Sequence, residues 1–151
     1  MRNRLRITEA EPSDIPALTL LLAQLFSMEE DFQPNGARQA NGLKLIIGNR
    51  QAGRIFVLRN QDRIIGMANA LFTISTAEGG PVILLEDVIV AEGYRHKGLG
   101  QTLVQHVLDW ARENGFLRVT LLADRDNAPA LQFYEKLGFL PSAMSVFRHS
   151  L

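Results

Sequence analysis

Leu84-Leu85-Glu86-Asp87-Val88-Ile89-Val90, followed by Arg95-His96-Lys97-Gly98-Leu99-Gly100 and an amphipathic run over residues 101–114, decides how the rest of the chain is read. The stretch reads as a buried strand, a glycine-rich turn and a helix. Apolar residues run almost unbroken from Val82 to Leu85 and again from Val88 to Val90. A strand with one wet face alternates, so this one belongs inside a sheet. Glu86 and Asp87 interrupt the run, and carboxylates in a core strand are costly unless they find partners. In a regular strand they point to opposite faces, so only one faces a cleft unless a bulge intervenes. Gly98 and Gly100 let backbone approach a ligand closely. The helix that begins there offers unpaired N–H groups and a positive dipole end, which suits a phosphate or pyrophosphate.

The glycines alone leave several readings open. A tight strand-to-helix turn with a basic surface has the same residues. The dinucleotide fingerprint needs a third glycine where Leu103 stands, although Asp124 lies about where a ribose-binding acid would. A phosphate loop ending in Gly-Lys-Ser/Thr is absent, because Lys97 precedes Gly98.

The flanking segments give the strand its setting. Residues 5–8 alternate as a first strand. Pro12 and Ser13-Asp14 open a helix whose inner face is Ile15, Leu18, Leu22, Leu25 and Phe26. Residues 37–49 form a second helix, with Leu43, Ile46 and Ile47 inward. Residues 54–59 and 63–75 are strands, Gly66 marking a bulge, and Glu78-Gly79-Gly80-Pro81 turns the chain back. Residues 54–90 are therefore an antiparallel meander. In the helix over 101–114, Leu103, Val107, Leu108 and Ala111 share a face, and Gly115 closes it. Residues 117–123 are another apolar strand, parallel to the central one because a right-handed crossover joins them. Residues 129–137 form a short helix closed by Gly138, and residues 143–150 a last strand on the sheet edge.

Composition narrows the function classes. A chain of 151 residues is read as one domain, 1–151, with a proper core. Sixteen basic and sixteen acidic side chains cancel, which speaks against nucleic acid or an anionic membrane as partner. With no cysteine, disulfides, thiol nucleophiles and thiolate metal sites are excluded. His96, His106 and His149 show no metal-ligand spacing, so no metal is expected. No apolar stretch reaches membrane-span length and no signal-peptide core follows Met1, so a cytoplasmic protein is expected.

Arg95-His96-Lys97-Gly98-Leu99-Gly100 resembles the Arg/Gln-x-x-Gly-x-Gly/Ala signature of the GNAT superfamily of N-acetyltransferases. The likeness extends upstream to Glu86-Asp87-Val88-Ile89-Val90. Downstream it takes in Asn127-Ala128-Pro129-Ala130 and Phe133-Tyr134-Glu135-Lys136-Leu137-Gly138-Phe139. It implies an α+β fold: a mixed, mostly antiparallel sheet of six to seven strands, helices on both faces, and a parallel pair splayed around a cofactor cleft. It implies acetyl-coenzyme A as donor and an amine as acceptor. The acceptor is a small cationic amine or a lysine or N-terminal amine. A homodimer is common among the proteins it resembles. An acyl-coenzyme A sensor without turnover is the alternative.

The resemblance also assigns residues. The pantetheine arm lies along Val88, Ile89 and Val90 as an added strand would. The pyrophosphate sits on the amides of His96, Lys97, Gly98, Leu99, Gly100 and Gln101, with Arg95 and Lys97 adding positive charge. Asn127 caps the last helix and also contacts the arm. Tyr134 is the general acid that protonates the departing sulfur. Apart from the resemblance, whose members differ here, a mid-sheet carboxylate near the cleft makes Glu86 the candidate base, directly or through water. Glu86 also reads as a structural carboxylate bonded to backbone or arginine. Residues 27–36 carry Glu29, Glu30, Asp31 and Phe32. They are either a solvated connection or the acceptor wall, with Glu29, Glu30 and Phe32 suited to an amine on a hydrophobic body.

Overall fold

Ile55 and Val57 point to one side of their strand, Phe56 and Leu58 to the other, and all four are buried. A strand covered on both sides needs helices above and below. A computed structural model of the chain supplies them, describing residues 4–29 and 32–151. The elements are β1 (Leu5–Glu9), α1 (Ile15–Phe26), α2 (Gly36–Ile47), β2 (Gly53–Asn60), β3 (Arg63–Ser75), β4 (Gly80–Val90), α3 (Leu99–Glu113), β5 (Val119–Leu121) and α4 (Ala128–Lys136). The sheet order is β1-β2-β3-β4-β5. The first three pairings are antiparallel and β4–β5 is parallel.

The two faces have separate cores. Leu18, Leu21 and Leu22 of α1 and Leu43 of α2 meet Ile55, Val57, Met67 and Ile89. On the opposite face, Leu103, Val104, Val107 and Ala111 of α3 meet Phe56, Leu58, Ile65, Ala70, Ile83 and Leu85. Those α3 residues recur at helical spacing and are at most 3% exposed; of the stripe read from the sequence, Leu103, Val107 and Ala111 are buried, while Leu108 is partly buried and Val104 takes the fourth buried place. Phe133, Tyr134 and Leu137 of α4 pack against the same core.

The start of α1 is tied to the sheet by charge. Asp14 is buried and accepts the Glu11 amide at 2.8 Å. It also accepts two hydrogen bonds from Arg59 of β2, at 3.1 and 2.6 Å. The Arg59 Nε donates to the Thr8 hydroxyl of β1 at 3.0 Å. Burial alone would raise the Asp14 pKa, but the bonds from Arg59 and Glu11 outweigh it and hold the carboxyl below its ordinary value.

Three expectations change. Among the described residues the sheet has five strands, not six to seven. The fifth spans Val119–Leu121 rather than residues 117–123. Residues 143–150 form no strand. A strand requires a buried face and a paired edge, and this tail has neither. Met144 and Phe147, of opposite parity, are 88% and 92% exposed. The tail is held instead by Arg125, which donates to the Ser145 hydroxyl at 2.8 Å, and by Arg148, whose guanidinium lies 5.3 Å from the Phe32 ring centre. The bulge expected near Gly66 falls beside it: Leu58 pairs with Gly66 and Arg59 with Ile64, leaving Ile65 extra. No helix among the described residues is long and apolar enough to cross a membrane.

Candidate active site

The parallel pair stays together only through Ile83–Val119, Leu84–Thr120 and Leu85–Leu121. β4 then continues to Val90 while β5 has ended. The edge of β4 that faced β5 is thus without a strand partner from Glu86 onward, which opens a gap at the carboxyl end of the pair.

The glycine turn stands at the mouth of this gap. His96 and Gly98 have φ of 63° and 75°, left-handed values that curl successive N–H groups toward one side. Gly98 is the N-cap of α3 and no side chain caps that helix. Among the described residues, the amides of 95–98 enter no backbone hydrogen bond, and those of Leu99, Gly100 and Gln101 lie in the first turn, where an α-helix provides no partner. Gly100 packs against α4: a Cβ there would meet the Phe133 Cζ at 3.4 Å, about van der Waals contact. Lys97 is exposed, its ammonium 5.9 Å from the Tyr94 ring centre. Arg95 folds back instead: Nε donates to the Val90 carbonyl at 2.8 Å, and Nη1 lies 3.6 Å from the Met28 sulfur. That bond occupies one backbone acceptor of β4 and ties the loop after α1 to the end of the strand.

Tyr134 comes to the gap from α4. Its ring is edge-on to Phe133 at 5.0 Å and to Phe139 at 5.7 Å. Burial, then the charge of Glu29, pushes its phenol up to about 12. The phenol therefore keeps its proton at neutral pH, and among the described residues it has no hydrogen-bond partner. Asn127 is the N-cap of α4, its Oδ1 accepting from the Ala130 amide at 3.2 Å. That leaves its NH₂ group for another acceptor.

Both acids of β4 lie at the apex of the gap. Asn69 pairs with Glu86 and Met67 with Ile89, so Asp87 and Val88 together oppose Ala68 in a bulge. Glu86 is half-buried, and its carboxylate makes no hydrogen bond or ion pair among the described residues. Asp87 accepts a hydrogen bond from the Asn69 Nδ2. Burial pushes its pKa up to about 6; the Asn69 bond opposes this and the Glu86 charge adds to it.

Glu29 is close enough to Tyr134 for their charges to couple. Phe32 packs on Phe26 at 5.6 Å and under Arg148. Glu30 lies outside the described residues, as does Asp31. The structure thus couples Tyr134 to Glu29 by charge and packs α4 on the glycine turn through Phe133 and Gly100. One contributor escaped the sequence reading, Asn69. A signal for Asn69 existed: it is the one strongly polar residue in Gly66-Met67-Ala68-Asn69-Ala70-Leu71. Among the described residues no group of acids and histidines could hold a metal ion.

Residues 20–139 match the profile of the acetyltransferase (GNAT) family. Streptothricin acetyltransferase of Streptomyces lavendulae is 42% identical over 57 residues, which are 38% of this chain and 30% of that protein. Glucosamine 6-phosphate N-acetyltransferase of Trypanosoma brucei brucei is 34% identical over 94 residues, 60% of this chain and 62% of that one. The chain thus spans between 30% and 62% of the length of these curated relatives. Among solved structures, a possible acetyltransferase from Clostridium difficile 630 matches with a TM-score of 0.88, covering 97% of both chains at 18% identity, a likeness of fold.

Proposed function

This chain belongs to the acetyltransferase (GNAT) family, and from that premise we propose that it moves an acetyl group from acetyl-coenzyme A directly to a primary amine. The observation that carries the reading is the gap beside β4, with an uncapped helix terminus at its mouth and a proton-bearing tyrosine at its side. The donor's pyrophosphate takes the amides of residues 96–101, and Lys97 adds the charge that Arg95, tied to Val90, does not. Its pantetheine arm adds to the open edge of β4 at Val88, Ile89 and Val90, beside the NH₂ group of Asn127.

In the reaction the ammonium of the acceptor gives a proton to Glu86, directly or through water. The freed nitrogen attacks the thioester carbon, the C–N bond forms and the C–S bond breaks. The sulfur leaves with the proton of Tyr134, and the remaining ammonium proton on nitrogen restores the phenol. A positioned acid of this kind contributes roughly 10²–10⁴-fold. Glu29 and Phe32 stand in the acceptor wall, suited to a cationic amine with an apolar body.

Thiol release measured across a panel of amines tests the reading, with Tyr134→Phe as control. The expected result is release with at least one amine, and a kcat lowered about 100-fold in the variant at unchanged coenzyme A affinity. An unchanged kcat removes Tyr134 from the chemistry. A protein that coenzyme A stabilises, but that releases no thiol with any amine, is a sensor rather than an enzyme.

A further inference from the structure

Acetyl transfer as described leaves Asn69 and Asp87 without a task, yet both are in unusual states. Asn69 is 2% exposed, and its Oδ1 is buried with no hydrogen-bond partner among the described residues. Such an acceptor in a protein interior is costly, so its surroundings call for explanation. Its Nδ2 reaches across the strands to Asp87. Asp87 has a φ of 53°, a left-handed value that aspartate tolerates better than most residues but that strands do not use. It is the first residue of the β4 bulge.

The bulge decides which way this part of β4 faces. Leu85 and Val88 belong to the core under α3, and Ile89 to the core under α1 and α2. Ala68 and Ala70 face α3, so Asn69 between them faces α1 and α2. Glu86, paired with Asn69, shares that side, and so does the Asp87 carboxylate that Asn69 holds. Without the extra residue, Asp87 would turn to the α3 face and every residue to Val90 would exchange sides.

We propose that Asn69 and Asp87 are positioning residues. Their cross-strand bond holds β4 in its bulge, and so fixes the Glu86 carboxylate and the open edge at Val88 against the two substrates. The inference rests on the acetyl-transfer reading for what the gap binds, and on the bulge alone for what the pair holds. The orphan acceptor of Asn69 indicates what completes the pair, namely a donor on residue 87. An amide at 87 supplies one while accepting the existing bond, closing a two-bond ring. Asp87→Asn is therefore the conservative variant, and Asp87→Ala and Asn69→Ala are the disruptive ones.

Two measurements on these three variants test the proposal. Steady-state kinetics should show Asp87→Ala and Asn69→Ala each raising the KM for acetyl-coenzyme A and lowering kcat, about tenfold in kcat/KM or more. Asp87→Asn should stay within about threefold of wild type, and the double alanine variant should be no worse than either single one, because the pair acts as one unit. Amide hydrogen exchange without ligand should quicken at residues 87–89 in both alanine variants and not in Asp87→Asn. The proposal is overturned if Asp87→Asn is as impaired as Asp87→Ala, which would make the carboxylate itself a reacting group. It is equally overturned if the alanine variants leave exchange at 87–89 unchanged. A wild-type protein inert toward every amine overturns the acetyl-transfer reading instead, and the exchange measurement still decides whether the pair holds the bulge.

Discussion

Replacing Asp87 by asparagine should make the protein more stable at neutral pH, although it removes a charged residue from the middle of a strand. Burial, partly opposed by the Asn69 bond and reinforced by the Glu86 charge, moves the Asp87 carboxyl from 3.8 to about 6. A carboxyl whose folded pKa lies above its unfolded value binds its proton more tightly in the folded state. The fold is therefore favoured as pH falls from about 6 toward about 4, and that gain is lost as pH rises through about 6. Above that range the buried charge costs about 3 kcal/mol at most, from a difference of about two pH units at about 1.4 kcal/mol each. Asparagine keeps the size, accepts the same bond and donates to the orphan Oδ1 of Asn69. Urea unfolding of both proteins at about pH 7.5, 6.5, 5.5 and 4.5 isolates the effect of residue 87 and its coupling to Glu86, because titrating groups that do not interact with residue 87 cancel in the difference. Asp87→Asn should lead by about 1–3 kcal/mol at the highest pH, with the lead shrinking toward the lowest. A variant less stable than wild type at about pH 7.5, or a difference that does not move with pH, refutes the reasoning.

Other outcomes follow from the same geometry. Because the Tyr134 phenol is pushed up to about 12, a pH–rate profile should show no loss of kcat from this residue between about pH 7 and 10. Gly98→Ala forces a Cβ into a left-handed residue that has open space around it. It should cost about 1–2 kcal/mol in a thermal melt and weaken coenzyme A binding in calorimetry. Arg59→Met leaves the buried Asp14 carboxylate without its two guanidinium bonds. Denaturant unfolding should show a loss of about 3–5 kcal/mol near neutral pH. That loss should shrink as pH falls through the depressed pKa of Asp14, where the wild-type pair is itself lost.

The parts of this molecule that were legible in the sequence are those set by local pattern. The stripe Leu103, Val107 and Ala111, the glycines around Leu99 and the unbroken apolar run of β4 each fix an element without reference to a distant partner. Residues 143–150 alternate well enough to resemble a strand, but whether a strand forms depends on an edge elsewhere, and β5 presents only Val119–Leu121. The bulge at Asp87, open as an alternative in the sequence, could not be decided there for the same reason. Two adjacent acids signal a conflict, and only the register against Asn69 and Met67 shows how it is resolved. Arg95 illustrates a further limit. Its place in the motif suggests charge for a phosphate, while its contact with the Val90 carbonyl depends on how far the turn folds back.

The order of the strands carries a consequence for how the molecule is assembled. β2, β3 and β4 are neighbours both in the chain and in the sheet, joined by the short turns at Gln61-Asp62 and at residues 76–79. Closing such turns costs little entropy, so the meander can form early. β5 joins only after the chain has passed through residues 91–118, and three register pairs hold it there. The gap proposed to hold the donor lies on this late seam. A nascent or partly folded chain would thus own a nearly finished sheet and no pocket. A substrate that bridges β4 and α4 would act as the clasp on the last step of folding.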